Sequence, residues 1–233
     1  MQWRNDVILR ELPATHGYGP LRWALYDRWY GADVYGRGDS GRPYSVFNPD
    51  PDSVMNALLG VKYLVRQSSA GESPQRIYHG SSTDIWLTRH AYARVLAPSH
   101  ARLMPLDEPP PLSAFNATDF DDIVWLTPRN IADRDADLAL MGRCNGRATL
   151  VSASETPTHT ELRTRADTAG WLVLADQDFP GWRASVDGAT LPIHRANGLF
   201  RAVCVPAGEH TVRFDFHPWQ MFSAVWQDAA AWR

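Results

Sequence analysis

Between residues 179 and 216 apolar and polar side chains alternate one by one, and the breaks in the alternation fall on turn residues. Trp182, Ala184 and Val186 share one face while Arg183 and Ser185 take the other; Val212, Phe214 and Phe216 alternate in the same way with Thr211, Arg213 and Asp215. Period-two alternation of this kind marks strands with one buried face. Asp187-Gly188 predicts a hairpin, because both central residues of a type I′ turn need positive φ, which Gly takes freely and Asp tolerates. Asn197-Gly198 reads as another turn, and Pro180-Gly181 and Pro206-Ala207-Gly208 punctuate the stretch by presetting one φ and relaxing the next. Upstream, residues 149–154, 158–166 and 170–175 repeat the β pattern. About seven short strands with a turn every several residues predict an antiparallel β-sandwich, immunoglobulin-like or jelly-roll-like, over residues 146–220.

The first half is patterned differently, and the chain as a whole reads as α+β: a mixed α/β region over 1–145, the sandwich, and a tail over 221–233. Asp50-Pro51-Asp52-Ser53 offers an N-cap and an N1 proline to a short apolar helix over 54–59, with Gly60 placed to end it. Strands are predicted at 61–65, 77–79, 84–88, 92–97 and 123–126, between clusters of Ser, Gly and Pro. Leu21, Leu25, Tyr26 and Trp29 form an i, i+4, i+5, i+8 stripe, which predicts a helix over 21–30. A second short helix is predicted over 133–144, its alternating charges forming a solvated face. Three consecutive prolines within 105–113 make that segment a rigid surface connection.

Composition narrows the class. The chain has 233 residues, 44% of them hydrophobic and 21% charged, enough to bury a sizeable core as one large or two modest domains. A net charge of −3 with interspersed signs excludes a nucleic-acid partner, which needs a basic stripe to release counterions. Lys62 is the only lysine among 23 basic residues, a bias attributable to a GC-rich genome. The two cysteines lack metal-ligand spacing. Cys204 shares a strand face with Phe200 and Ala202 and reads as a buried free thiol, with a disulfide to Cys144 as the alternative in an extracytoplasmic chain. No segment reaches the roughly 20 apolar residues of a membrane span. The first residues contain no apolar signal core, so standing alone the chain would be expected to stay in the cytoplasm.

Pro180-Gly181-Trp182, then Val186-Asp187-Gly188, then the run RANGLFRAVCVPAGEHTVRFDF at 195–216 resemble the end of the last extracytoplasmic region of the YfhO family of bacterial multi-spanning membrane proteins. Fainter echoes, HGYGP at 16–20, NALLGVKYLV at 56–65 and ARVL at 93–96, follow in the family's order. The family is linked to glycosyltransferases that use polyprenyl-phosphate sugars. The resemblance implies an extracytoplasmic piece whose partners are the membrane-embedded portion of a parent protein and a cell-envelope glycan. It also implies that the apolar patch from Trp219 to Trp226 begins a membrane helix. In the family an acidic residue of an early extracytoplasmic loop acts as the catalytic base, and this sequence does not contain that loop. No catalytic residue is therefore carried over, no cofactor is expected, and the isolated chain is predicted to be inert.

Candidate binding chemistry gathers around the turns of the opening stretch: Asp176, Asp178, Trp182, Arg195, Asn197, Arg201 and His210. Carboxylate, amide and guanidinium groups bond sugar hydroxyls while an indole covers apolar C–H groups. Against this, Trp182 reads as core, Asn197 as a turn residue and Arg201 as an exposed strand charge. Acidic groups at Asp119, Asp121 and Asp122 and at Asp50 and Asp52 have the chemistry for glycoside hydrolysis, but capping and turn formation explain them more simply. Eight scattered histidines give no zinc motif, and no GxSxG elbow is present. Residues 36–41 carry RGDS in a Gly-rich setting that reads as a loop. The aromatic and basic residues from Tyr18 to Tyr35 suit a glycan grip or a membrane interface as well as an amphipathic helix. A free-standing sandwich that binds carbohydrate or protein is the alternative function, and a soluble glycoside hydrolase a third.

Overall fold

The structure, a computed structural model, describes residues 50–68, 73–106, 110 and 112–220. The expected helix over 21–30, the loop at 36–41 and the tail over 221–233 lie outside the described residues. The chain divides into two compact units, one of residues 1–93 with 111–117 and the other of residues 94–110 with 118–233. The segments between 94 and 145 thus belong mostly with the β-rich C-terminal part.

In the first unit, α1 (Val54–Leu58) is capped by Ser53, whose Oγ accepts from the Asn56 N–H at 3.1 Å. The cap thus comes from the segment 50–53 as expected, whereas Pro51 stands before the cap and not at N1. Strands β1 (Tyr63–Gln67), β2 (Arg76–His79) and β3 (Thr83–Leu87) form an antiparallel sheet in the order β1-β3-β2.

The second unit contains β4 (Val95–Leu96), β5 (His100–Leu103), β6 (Ile123–Leu126), α2 (Ile131–Met141), β7 (Gly146–Thr156), β8 (His159–Ala166) and β9 (Gly170–Gln177). It continues with β10 (Trp182–Val186), β11 (Ala189–Leu191), β12 (His194–Ala196), β13 (Phe200–Val205) and β14 (Gly208–Phe216). These strands make one curled sheet in the order β11-β10-β14-β8-β7-β9-β13-β12-β6-β5, with β4 also on β9. The fold is thus mostly β. Strand β7 turns the corner, because Gly146 and Arg147 pair parallel with β9 while the rest of the strand pairs antiparallel with β8. The corner is tight enough that a Cβ on Gly170 would stand 2.8 Å from the Ala148 nitrogen and the Gly146 oxygen. The predicted turns form with the expected backbone: φ is 48° at Asp187 and 86° at Gly188, and 50° at Asn197 and 84° at Gly198.

Curling brings β8, β9, β10, β13 and β14 around one apolar cluster of Leu162, Leu172, Leu174, Ala184, Val203, Val205, Val212 and Phe214. Residues of alternate parity on β13 point to the opposite face, where Cys204 is bonded to Cys144 just beyond α2. The free thiol expected at Cys204 is corrected to a disulfide. The Cα atoms stand 5.9 Å apart, inside the range a bridge requires. Cys144 reaches that place because the chain closes after α2, its N–H bonding to the Leu140 carbonyl. On the same face Asp137 of α2 meets His194 of β12 at 2.5 Å, both side chains buried.

Two strand expectations change. The strand over 92–97 contracts to β4, since the Tyr92 N–H donates to the Ala57 carbonyl and its hydroxyl to the Ala117 carbonyl. Strand β5, not expected from the sequence, exists because it lies parallel to β6 in the register His100↔Ile123 to Leu103↔Leu126.

Candidate functional site

Five of the seven predicted binding residues converge at one end of the curled sheet through an irregularity in β9. Phe200 pairs with Gln177 but Arg201 pairs with Leu174, so Ala175 and Asp176 bulge out of the ladder. Such bulges re-aim side chains, and the Ala175 N–H turns to the Arg94 carbonyl at 2.8 Å. Arg201 has the inward parity of Val203 and Val205, and its side chain is 1% exposed. The expectation of an exposed strand charge is corrected, because β13 is covered on both faces.

The Arg201 guanidinium is held on several sides. Nη1 donates to the Gln177 carbonyl at 2.8 Å and Nη2 to Asp176 Oδ2 at 2.8 Å. Its Cζ lies 3.8 Å from the Trp182 ring centroid and 5.7 Å from that of Phe214. Nε has no hydrogen-bond partner among the described residues, which fits a guanidinium laid over an indole face. Burial pushes the Arg201 pKa down to about 10 against the pull of Asp176 and Asp178.

Asp178 anchors a second arginine pair. Its N–H donates to the Leu199 carbonyl at 2.7 Å. Its carboxylate accepts from Arg195 Nε at 3.3 Å and from Arg129, the residue before the N-cap of α2. Arg195 and Arg201 stand directly opposite across β12 and β13, an arrangement that repels unless neutralised. The two aspartates divide the work, Asp176 on Arg201 and Asp178 on Arg195. Burial disfavours the Arg129 charge, but Asp178, with Asp133 and Asp137, outweighs it and leaves that pKa raised. For Arg195 burial prevails, Asp178 opposing and Arg129 adding to it, and the pKa is lowered. Arg94 closes the outer side, bonding Asp176 at 3.0 Å and Glu155 at 3.0 Å.

Trp182 is half-buried, with Arg201 over its ring and Phe216 tilted against it at a centroid distance of 5.2 Å. Asp176, Asp178, Trp182, Arg195 and Arg201 therefore come together. Asn197 does not present its side-chain oxygen to them: buried in its turn, it accepts from the Trp125 N–H at 2.9 Å and joins β6 to β12. His210 lies toward the opposite end of the β10–β14 ladder, its Nδ1 2.6 Å from Asp187 and its Nε2 2.9 Å from the Ala207 carbonyl. The Asp187 hydrogen bond raises the His210 pKa, and the same bond lowers that of Asp187.

Sequence reading missed Arg94, Arg129 and Glu155. One signal was available. Arg195 and Arg201 are symmetric about Gly198, so the hairpin itself forces two guanidinium groups opposite one another and demands nearby carboxylates. The arrangement is a charge-balanced lattice in which each buried ion has a partner, not an acid and base poised around a vacant centre.

Two Ser-His-Asp groupings also form, and both lack relay geometry. Ser68 Oγ lies 3.4 Å and Asp84 Oδ1 2.7 Å from the same nitrogen, Nδ1 of His79. Ser99 Oγ and Asp122 Oδ2 likewise share Nδ1 of His100, at 2.8 and 3.2 Å. A nucleophile–base–orienter chain needs the serine and the carboxylate on opposite ring nitrogens. Here each serine donates directly to the carboxylate, at 3.2 Å for Ser68 and 2.6 Å for Ser99. The Ser99 bond is the chief cause of a lowered Asp122 pKa. Among the described residues no group of three or more His, Cys, Asp or Glu side chains is placed to hold a metal ion, and no helix is long and apolar enough to cross a membrane. Comparison with protein-family models, with curated proteins and with solved structures finds no match to the chain.

Proposed function

We propose that this chain is the extracytoplasmic region of a YfhO-like bacterial membrane protein, without catalytic activity of its own, that helps position a cell-envelope glycan beside a membrane-embedded glycosyltransferase. The observation that carries the reading is the bond between Cys144 and Cys204. Structural disulfides persist in oxidising compartments and are rare where thiols are kept reduced. The resemblance across residues 179–216 supplies the family, and we read the curled sheet as a sandwich of immunoglobulin-like or jelly-roll-like type. The neutralised Arg–Asp lattice and the two serines that bypass their histidines support an inert role.

A glycan contact would fall at the rim where Asp176 and Trp182 are partly exposed and Arg94 is half-exposed. Oligosaccharides titrated while tryptophan fluorescence is followed should perturb the wild type, and Trp182→Ala should remove the response. A response that survives Trp182→Ala moves recognition elsewhere, and no response to any glycan removes the positioning role. Turnover of chromogenic glycosides, lost on Asp176→Asn or Asp121→Asn, would overturn the inert role.

A further inference from the structure

Strand β7 has an open edge. It leaves β9 after Gly146 and Arg147, the β9 edge passes to β4 at Val173 and Leu174, and from Thr149 to Thr156 the strand pairs with β8 alone among the described residues. Every residue of that run is exposed, with Val151 at 65% and Leu150 at 37%. A row of unpaired backbone N–H and C=O groups is a template for another strand, and sheets blunt such edges by keeping them short or by placing Lys and Pro on them. The two ends of the sheet are short, β11 with three residues and β5 with four. The open run of β7 is longer and has neither Lys nor Pro, and its one charge, Glu155, is bonded by Arg94 at 3.0 Å.

We propose that this edge pairs antiparallel with the same edge of a second copy of the chain, about a two-fold axis through Ala153. The occupant follows from the pattern of β7 itself. Ala153 and Glu155 stand opposite Leu162 and Thr160 and share their inner face, while Ser152 and Ser154 stand opposite Arg163 and Glu161 on the outer one; Val151 is the extra residue of a bulge between Leu150 and Ser152. With Ala153 on the axis, Ser152 meets Ser154 of the second copy and Glu155 meets Val151. Small side chains then lie at the centre, the exposed Val151 gains cover, and the two Glu155 carboxylates stay apart. A parallel in-register pair would instead set Glu155 against Glu155, which repels. Each copy uses its one long open edge in the pairing, so assembly closes at two chains. Because Arg94 bonds both Glu155 and Asp176, the pairing also sets an Arg94–Asp176 pair from each copy beside the axis.

The test uses the full chain with its native disulfide, so that an introduced cysteine is the only free thiol. In sedimentation equilibrium the wild type should pass from one chain to two as its concentration rises through the micromolar range, as a contact of this small size predicts. Ala153→Lys sets two ammonium groups at the axis and should raise the dissociation constant roughly tenfold or more. Its melting temperature at a concentration where both proteins are single chains should match the wild type, because Ala153 is exposed. In Ala153→Cys the two thiols face one another across the axis, where opposed Cα atoms of antiparallel strands stand about 4.5–5.5 Å apart, within reach of a disulfide. Mild oxidation should therefore link two copies of Ala153→Cys roughly tenfold faster or more than two copies of Thr149→Cys, whose thiols lie at opposite ends of the paired run. A wild type that stays a single chain, growth beyond two chains, or equal cross-linking of the two cysteine variants overturns the proposal. Dimers that Ala153→Lys leaves intact overturn it as well and assign the contact to another surface.

Discussion

Replacing both bridging cysteines with alanine should lower the thermal midpoint of the second unit substantially. Cys144 and Cys204 are 60 residues apart in sequence. Closing a loop of that length removes conformational entropy from the unfolded chain worth about 4 kcal/mol at room temperature. Cys144 is fully buried, and alanine is chosen over serine so that no hydroxyl is stranded there. For a unit of this size the loss corresponds to a fall in Tm on the order of 10 °C or more. Circular dichroism melts of the wild type, the reduced wild type and Cys144→Ala/Cys204→Ala, each at one scan rate, give the comparison. The reduced wild type and the double variant should melt together, well below the oxidised protein. Two thiols titrating in the unreduced, denatured wild type, or a midpoint unchanged by reduction, would refute the reasoning.

Three further outcomes follow from the paired ionisable groups. Asp176→Ala should destabilise the second unit by about 3 kcal/mol by stranding Arg201, whereas Asp176→Leu combined with Arg201→Met should recover most of that loss; chemical denaturation measures both. Asp137→Ala should cost about 2 kcal/mol by leaving His194 buried without its carboxylate, and amide exchange should rise first in α2. The His210 pKa is raised in the folded state, so its contribution to stability is complete below the unfolded value near 6.5 and fades as pH rises through the higher folded value. Proton NMR should therefore place the His210 midpoint above 6.5, and His210→Ala should lose more stability at acid than at alkaline pH. A midpoint at or below the unfolded value would contradict the Asp187 hydrogen bond.

Local chemistry made the C-terminal hairpins legible. Asp187-Gly188 and Asn197-Gly198 specify their backbone within two residues, β6 follows from a short apolar run, and α2 follows from alternating charges that mark a solvated helix face, although it begins and ends earlier than the expected 133–144. What was not legible is contact at a distance. Strand β5 has no turn signature of its own and exists because β6 lies alongside it. Arg201 looked exposed because alternation was read as one buried face, whereas β13 is covered on both. Cys204 reads first as a buried thiol, with Cys144 only as the alternative partner, because nothing in the sequence near it selects a cysteine 60 residues away. The bulge at Ala175 and Asp176, which aims a carboxylate at Arg201, is likewise a property of the β9–β13 register and not of either strand.

The extracytoplasmic reading is tested most directly by the redox state of Cys144 and Cys204 in the organism's own cells. Cells quenched in acid and alkylated before reduction should yield protein in which neither cysteine is modified, and in which both become modifiable only after a reductant is added. Protein recovered with both thiols already alkylated would place the chain in a reducing compartment and contradict the account.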